Sequence, residues 1–195
     1  MTAIRMPREI PPSSVGASRD FIAFLILLAF AAAIWLPAIG TPFWGDDYVY
    51  LYGAREANLA GLSWGQTFWP SLPVQFWRPL SQEAWWRVVA GMMEADPQIA
   101  HMAALGFHLL GAVAVGLLGG TLARVCRWER PVSVGLLSGG LYGVLAVGLL
   151  PVHWVAAVNS PILVVFTGLA ASAWLAASTR QGALRVMLLA MVPLF

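Results

Sequence analysis

Apolar residues run almost unbroken through four stretches of the chain: Phe21–Ile39, Ile99–Ala123, Val132–Leu150 and Pro161–Ser178. None of the four contains Lys, Arg, Asp or Glu. Each is close to the roughly twenty residues that a helix rising 1.5 Å per residue needs to cross the hydrocarbon of a bilayer. A fifth apolar run opens at Ala183 and reaches Phe195, too short to span, and reads as the start of a further span of a longer protein. The pattern predicts an all-α, polytopic membrane helix bundle with about four full spans and a partial fifth. Between the spans lie a tail (1–20), a long first loop (40–98), a short basic connection (124–131), a turn (151–160) and a final segment (179–195).

The loop holds six of the ten tryptophans, a residue that favours the headgroup level, where one edge of the ring stays wet. Two helices are predicted within it. In Tyr48–Leu62, the residues Leu51, Tyr52, Leu59 and Leu62 fall roughly on one face; after Pro79, Leu80, Ala84, Val88 and Met92 repeat at fourth positions. Charges on their other faces (Arg55 and Glu56; Glu83 and Arg87) predict helices lying parallel to the interface. Gly135, Gly139 and Gly143 in span three, with Gly116 and Gly120 in span two, predict close backbone packing and no chemistry.

Composition agrees: 59% apolar, 10% charged, mean hydropathy +0.75, against roughly 25% charged in soluble domains. The first apolar run is longer than the roughly 7–15 residues of a signal peptide core, which predicts a retained span. Every basic residue is Arg. Placing the tail and the two connections 124–131 and 179–195 in the cytoplasm puts eight of eleven arginines there, against three acids, +5. The other side then carries three arginines against six acids, −3, as the positive-inside rule requires. A single cysteine, Cys126, excludes an internal disulfide, and no Cys/His spacing resembles a zinc site. No basic-aromatic patch points to nucleic acid, and no Gly-rich phosphate loop to a nucleotide.

The chemistry therefore rests on carboxylates, Arg, His and Tyr. Asp46 and Asp47 follow span one by a few residues within Phe43-Trp44-Gly45-Asp46-Asp47-Tyr48, so Trp44 and Tyr48 frame the pair. Such a pair can cap a helix starting at Tyr48, act as general base in a partly desolvated place, or hold a divalent cation. One member can cap while the other faces a cleft. Arg78, just before a helix start, suits bidentate pairing with a phosphate; stacking on Trp77 or pairing with Glu83 is the alternative. His101 and His108, seven apart, share one face of span two. His101, near the exterior end, is placed to reach a lipid phosphate; His108 is deeper and reads as packed. His153 lies in the exterior turn.

The order of a single span, an exterior aspartate pair, Trp77-Arg78-Pro79-Leu80, Phe107-His108-Leu109-Leu110 and Pro151-x-His153 resembles the N-terminal part of the GT-C membrane glycosyltransferases. The nearest likeness is to the branch of protein O-mannosyltransferases, aminoarabinose lipid A transferases and tetratricopeptide-bearing membrane mannosyltransferases. Two departures stand in the turn, where Leu150 replaces a family His and Val155 a family Glu. The resemblance implies a multi-pass protein of a bacterial inner (plasma) membrane that moves a sugar from a polyprenyl-phosphate donor to an extracytoplasmic acceptor. It implies Asp46 or Asp47 as base and Arg78, with His101, His153, Trp44 and Tyr48, as substrate contacts. In some relatives aspartates hold a divalent cation. The rival reading is a non-catalytic truncated relative or assembly subunit; a transporter is disfavoured because the acidic groups lie in the loop, away from the midplane.

Overall fold

The computed structural model describes residues 14–68 and 78–179, and among these 84% are helical and none is in a strand. The elements are α1 (Ser14–Trp35), α2 (Asp46–Leu59), α3 (Trp64–Thr67), α4 (Trp85–Ala90), α5 (Pro97–Val125), α6 (Pro131–Val144), α7 (Leu149–His153) and α8 (Asn159–Ser178). Short 3-10 turns follow α1, precede α7 and precede α8, and a π-helical turn, Pro79–Ala84, leads into α4. The expectations placed on Arg5, Arg8, Trp69, Trp77, Arg180, Arg185 and the run Ala183–Phe195 lie outside the described residues.

Among the described residues, three stretches are long and apolar enough to cross a membrane: Ser18–Gly40, Pro97–Val125 and Val155–Ser178. Their outward faces carry Phe21, Ile26, Phe30, Leu110, Leu163 and Trp174 exposed, as a bilayer-facing surface does. These helices mark a membrane protein with an all-α bundle. The stretch expected as a straight third span, 132–150, is instead α6 followed by the segment Ala146–His153, bent by 50°. The break falls at Leu145, whose extended backbone (ψ 153°) ends α6. Pro151, which has no N–H and would clash with the carbonyl four residues back in a continuous helix, sits in the first turn of the helix that starts afresh at Leu149.

Helix α5 is the centre, with α6 packed on one side and α8 on another, while α1 packs on α6. Its start is cut by Asp96, whose Oδ1 accepts from Gln98 N at 2.7 Å, with Pro97 in the first turn. The glycines bring α5 and α6 together as expected. A Cβ on Gly135 would lie 2.7 Å from Gly116 O, and one on Gly139 2.6 Å from Ala112 O.

The described parts of the first loop, 40–68 and 78–98, pack onto one end of this bundle. Phe43, Leu51, Ala54, Trp85, Trp86 and Val89 form a core with Ala100 and Ala104 of α5 and Val155, Val158 and Ile162 at the start of α8. Both loop helices exist, but their buried faces differ from those expected. Helix α2 buries Asp47, Leu51 and Ala54 and leaves Tyr52 and Leu59 exposed; α4 buries Trp85, Trp86, Arg87 and Val89, while Leu80 and Met92 stay outside. Large aromatics at 85 and 86 remove more apolar area from water than the smaller fourth-position repeat, and they set the rotation.

Candidate functional site

The acidic pair opens α2. Gly45, at φ +58°, takes the turn before the helix in a conformation that disfavours a side chain, and it delivers Asp46 and Asp47 into the first helical turn. There the two part. Asp46 is exposed, whereas Asp47 is fully buried. Asp47 Oδ2 accepts from Trp44 N at 3.1 Å and Oδ1 from Ala156 N at 2.7 Å. The second bond ties the loop to the turn before α8, 109 residues away. Burial pushes the Asp47 carboxyl above the ordinary 3.8; the Trp44 and Ala156 N–H groups and His101 pull it down, and Asp46 adds to the rise.

His101 is also fully buried. Its Nδ1 donates to Val152 O at 2.8 Å, since a carbonyl only accepts, and its Nε2 lies 3.0 Å from Thr41 Oγ1. The Thr41 hydroxyl is also 2.6 Å from Ala38 O. It can donate to Ala38 and accept from a protonated Nε2, or donate to a bare Nε2, so both ring states keep two partners. The expectation that His101 reaches a lipid phosphate is therefore corrected: both nitrogens are committed to the protein, and the ring has no open side. It thereby joins the chain after α1, at Thr41, to α7, at Val152.

Trp44 stays exposed, with its Nε1 donating to His153 O at 3.2 Å and its ring tilted on Trp154, centroids 5.4 Å apart. His153 is half-buried and meets Trp35 edge-on. Tyr48 is exposed and edge-on to Phe43. The structure thus gathers Trp44, Asp47, His101 and His153 around Val152–Ala156, with Asp46 and Tyr48 on the solvent side of the same turn. Arg78 is exposed immediately before the π-helical turn, its carbonyl accepting from Gln82 N and Glu83 N. His108 lies fully buried within α5, as expected.

A divalent cation fits this pair poorly. Both Asp47 oxygens already accept backbone N–H groups, leaving Asp46 as the open carboxylate, and the described residues contain no group of three His, Cys, Asp or Glu able to hold a metal.

Two residues escaped the sequence reading. Arg87, assigned there to a solvated face, is buried and donates to Asn58 Oδ1, Leu62 O, Ser63 O and Thr67 Oγ1, with Trp64 stacked at 4.9 Å. It fastens α4 to the end of α2. The signal was its neighbourhood, Trp85-Trp86-Arg87-Val88-Val89, too apolar for a solvated stripe. The other is Trp154, whose enclosed Nε1 has no acceptor among the described residues.

Compared with protein-family models, curated proteins and solved structures, the chain has no match.

Proposed function

We propose that this chain is a GT-C type membrane glycosyltransferase, or its N-terminal portion, working at the loop end of the bundle on a sugar carried by a polyprenyl phosphate. The observation that supports this reading is the division of labour in the acidic pair. Asp47 is spent on holding the loop to the turn after α7, and the same clamp leaves Asp46 open beside Trp44 and Tyr48. Asp46 would take the proton of the acceptor hydroxyl or amine as that atom attacks the anomeric carbon, with inversion. The leaving polyprenyl phosphate would be met by the Arg78 guanidinium through charge-assisted hydrogen bonds. Trp44 and Tyr48 offer apolar faces to a sugar ring. His101 and Asp47 would act as positioning residues, and His153 would hold Trp44 through its carbonyl. The arginine-rich end would face the cytoplasm of a bacterium and the loop end the outside.

The same bonds support a second reading, a non-catalytic membrane subunit in which Asp47 and His101 serve the fold alone. Transfer from a labelled polyprenyl-phosphate sugar, in membranes carrying wild type or Asp46→Asn, separates the two. Loss of the base is expected to slow transfer about 10²–10⁴-fold with insertion unchanged; equal transfer by the variant would end the proposal. If wild type transfers nothing, saturable polyprenyl-phosphate binding in nanodiscs that weakens in Arg78→Ala keeps the donor site. Absence of that binding leaves the subunit reading.

A further inference from the structure

At the opposite end of the bundle, a groove of about 180 Å³ opens between α1, α5 and α6. Phe24, Gly116, Gly120, Val132 and Gly135 are among its walls, and Arg124 stands at its rim. The groove exists because the glycines leave the two helices close but unfilled: a Cβ on Gly120 would already lie 3.3 Å from Pro131 O. Leu117 and Val132, also lining it, are exposed, so it opens on the outer apolar face of the bundle. Apolar cavities of about 150 Å³ take in a benzene-sized molecule, so a length of hydrocarbon chain fits here.

The rim carries charge. The Arg124 side chain is exposed and makes no hydrogen bond or ion pair among the described residues. Arg127 and Arg130 follow within the same connection, opposed only by Glu129, while Arg19 and Asp20 on α1 offset one another. Arg127 occupies the left-handed position that ends α5, φ +58°, where glycine is the ordinary residue; a charged side chain is kept there at a conformational cost. Trp128 beside it is exposed, as an indole at headgroup level is. An apolar slot leading to a net positive rim complements one occupant, a phospholipid with an anionic headgroup.

We infer that the α1–α5–α6 groove binds an anionic phospholipid, one acyl chain lying against Gly116, Gly120 and Gly135 and the headgroup phosphate on Arg124 with Arg127 and Arg130. Contacts of basic side chains with anionic headgroups are worth about 1 kcal/mol each near a membrane surface, or about fivefold in affinity. This site is independent of the acidic turn, and its failure would leave the transferase reading untouched.

The test is lipid retention by native mass spectrometry of the full chain, titrated with phosphatidylglycerol or phosphatidylcholine of matched chains. One saturable phosphatidylglycerol adduct is expected, with no such adduct from phosphatidylcholine. Arg124→Gln is expected to weaken it about fivefold, and Val132→Trp, which fills the slot but keeps every charge, to remove it. Equal retention of the two lipids, or the same phosphatidylglycerol affinity in wild type and Arg124→Gln, would overturn the inference. Should Val132→Trp not fold, as judged by helical circular dichroism, Leu117→Trp takes its place. An unchanged adduct in the folded slot-filling variant would likewise count against the site.

Discussion

At the scale of single residues, Asp47 shows what a carboxylate does when its lone pairs are claimed by backbone. Asn in its place keeps one acceptor but turns an NH2 toward either Trp44 N or Ala156 N, leaving a buried donor unsatisfied at a cost of about 1–3 kcal/mol. Asp46→Asn, at an exposed position, should shift stability by only about 0.5 kcal/mol. Thermal unfolding in detergent checks both. The pH dependence has a definite sign. Asp47 is raised in the folded protein, so the stability it contributes is fully present below the ordinary 3.8 and is lost as pH rises through its folded value. The melting-temperature advantage of wild type over Asp47→Asn is therefore expected to be largest at the acid end and to narrow upward from there. A widening gap would contradict the burial. The pair itself was legible in the sequence, but neither member caps the helix: Gly45 holds the N-cap position and no side chain closes it. Which of the two is buried was not legible, because the deciding partner, Ala156 N, is 109 residues away. Arg87 was misread for a similar reason: two of its four acceptors are backbone carbonyls, which no residue type announces, and the other two, on Asn58 and Thr67, are brought to it by the fold.

At the scale of elements, the break between α6 and α7 is the main departure from the hydrophobic pattern. A nineteen-residue apolar run, 132–150, reads as one span because hydropathy does not sense backbone hydrogen bonds. The bend is held by side chains from two other helices. Gly143 O, near the end of α6, accepts from Trp35 Nε1 at 2.7 Å and from His108 Nε2 at 3.1 Å, so a carbonyl at the break stays satisfied in an apolar setting. His108 stacks on Tyr142 and stands edge-on to Trp35. Gly148, just before α7, makes room for this cluster: a Cβ there would lie 2.6 Å from His108 Cε1 and 2.9 Å from Trp35 Cζ2. Gly148→Ala is expected to lose about 1–3 kcal/mol through overpacking. Gly106→Ala is the control, in the interior of α5 with nothing within 4 Å of the new methyl, and should gain up to about 1 kcal/mol from helix propensity. If both substitutions gave the same change in melting temperature, the cluster would not be what holds the bend.

At the scale of the whole molecule, the sequence shows its polarity along the bundle axis more plainly than its interior. Long uncharged runs bury or face lipid whatever their neighbours, so α1, α5 and α8 were readable from apolar length alone. The packing of the loop onto the ends of α5 and α8 depended on which aromatics met across it, and that meeting is tertiary. The ends of the bundle differ in charge, with Arg124, Arg127 and Arg130 at one and Asp46, Glu56 and Glu83 at the other. Because arginine resists transfer across a membrane, the first end is expected in the cytoplasm. The chain carries its own probe for this, since Cys126 is its single cysteine and lies exposed in the arginine-rich connection. A membrane-impermeant maleimide added to intact cells should leave Cys126 unmodified, and should label it once the membrane is opened. With Cys126→Ser and Glu56→Cys, a change at an exposed position of α2, the order should reverse. Labelling of Cys126 from outside would invert the bundle. It would place Asp46 on the cytoplasmic face, away from the extracytoplasmic acceptor that the transferase reading requires.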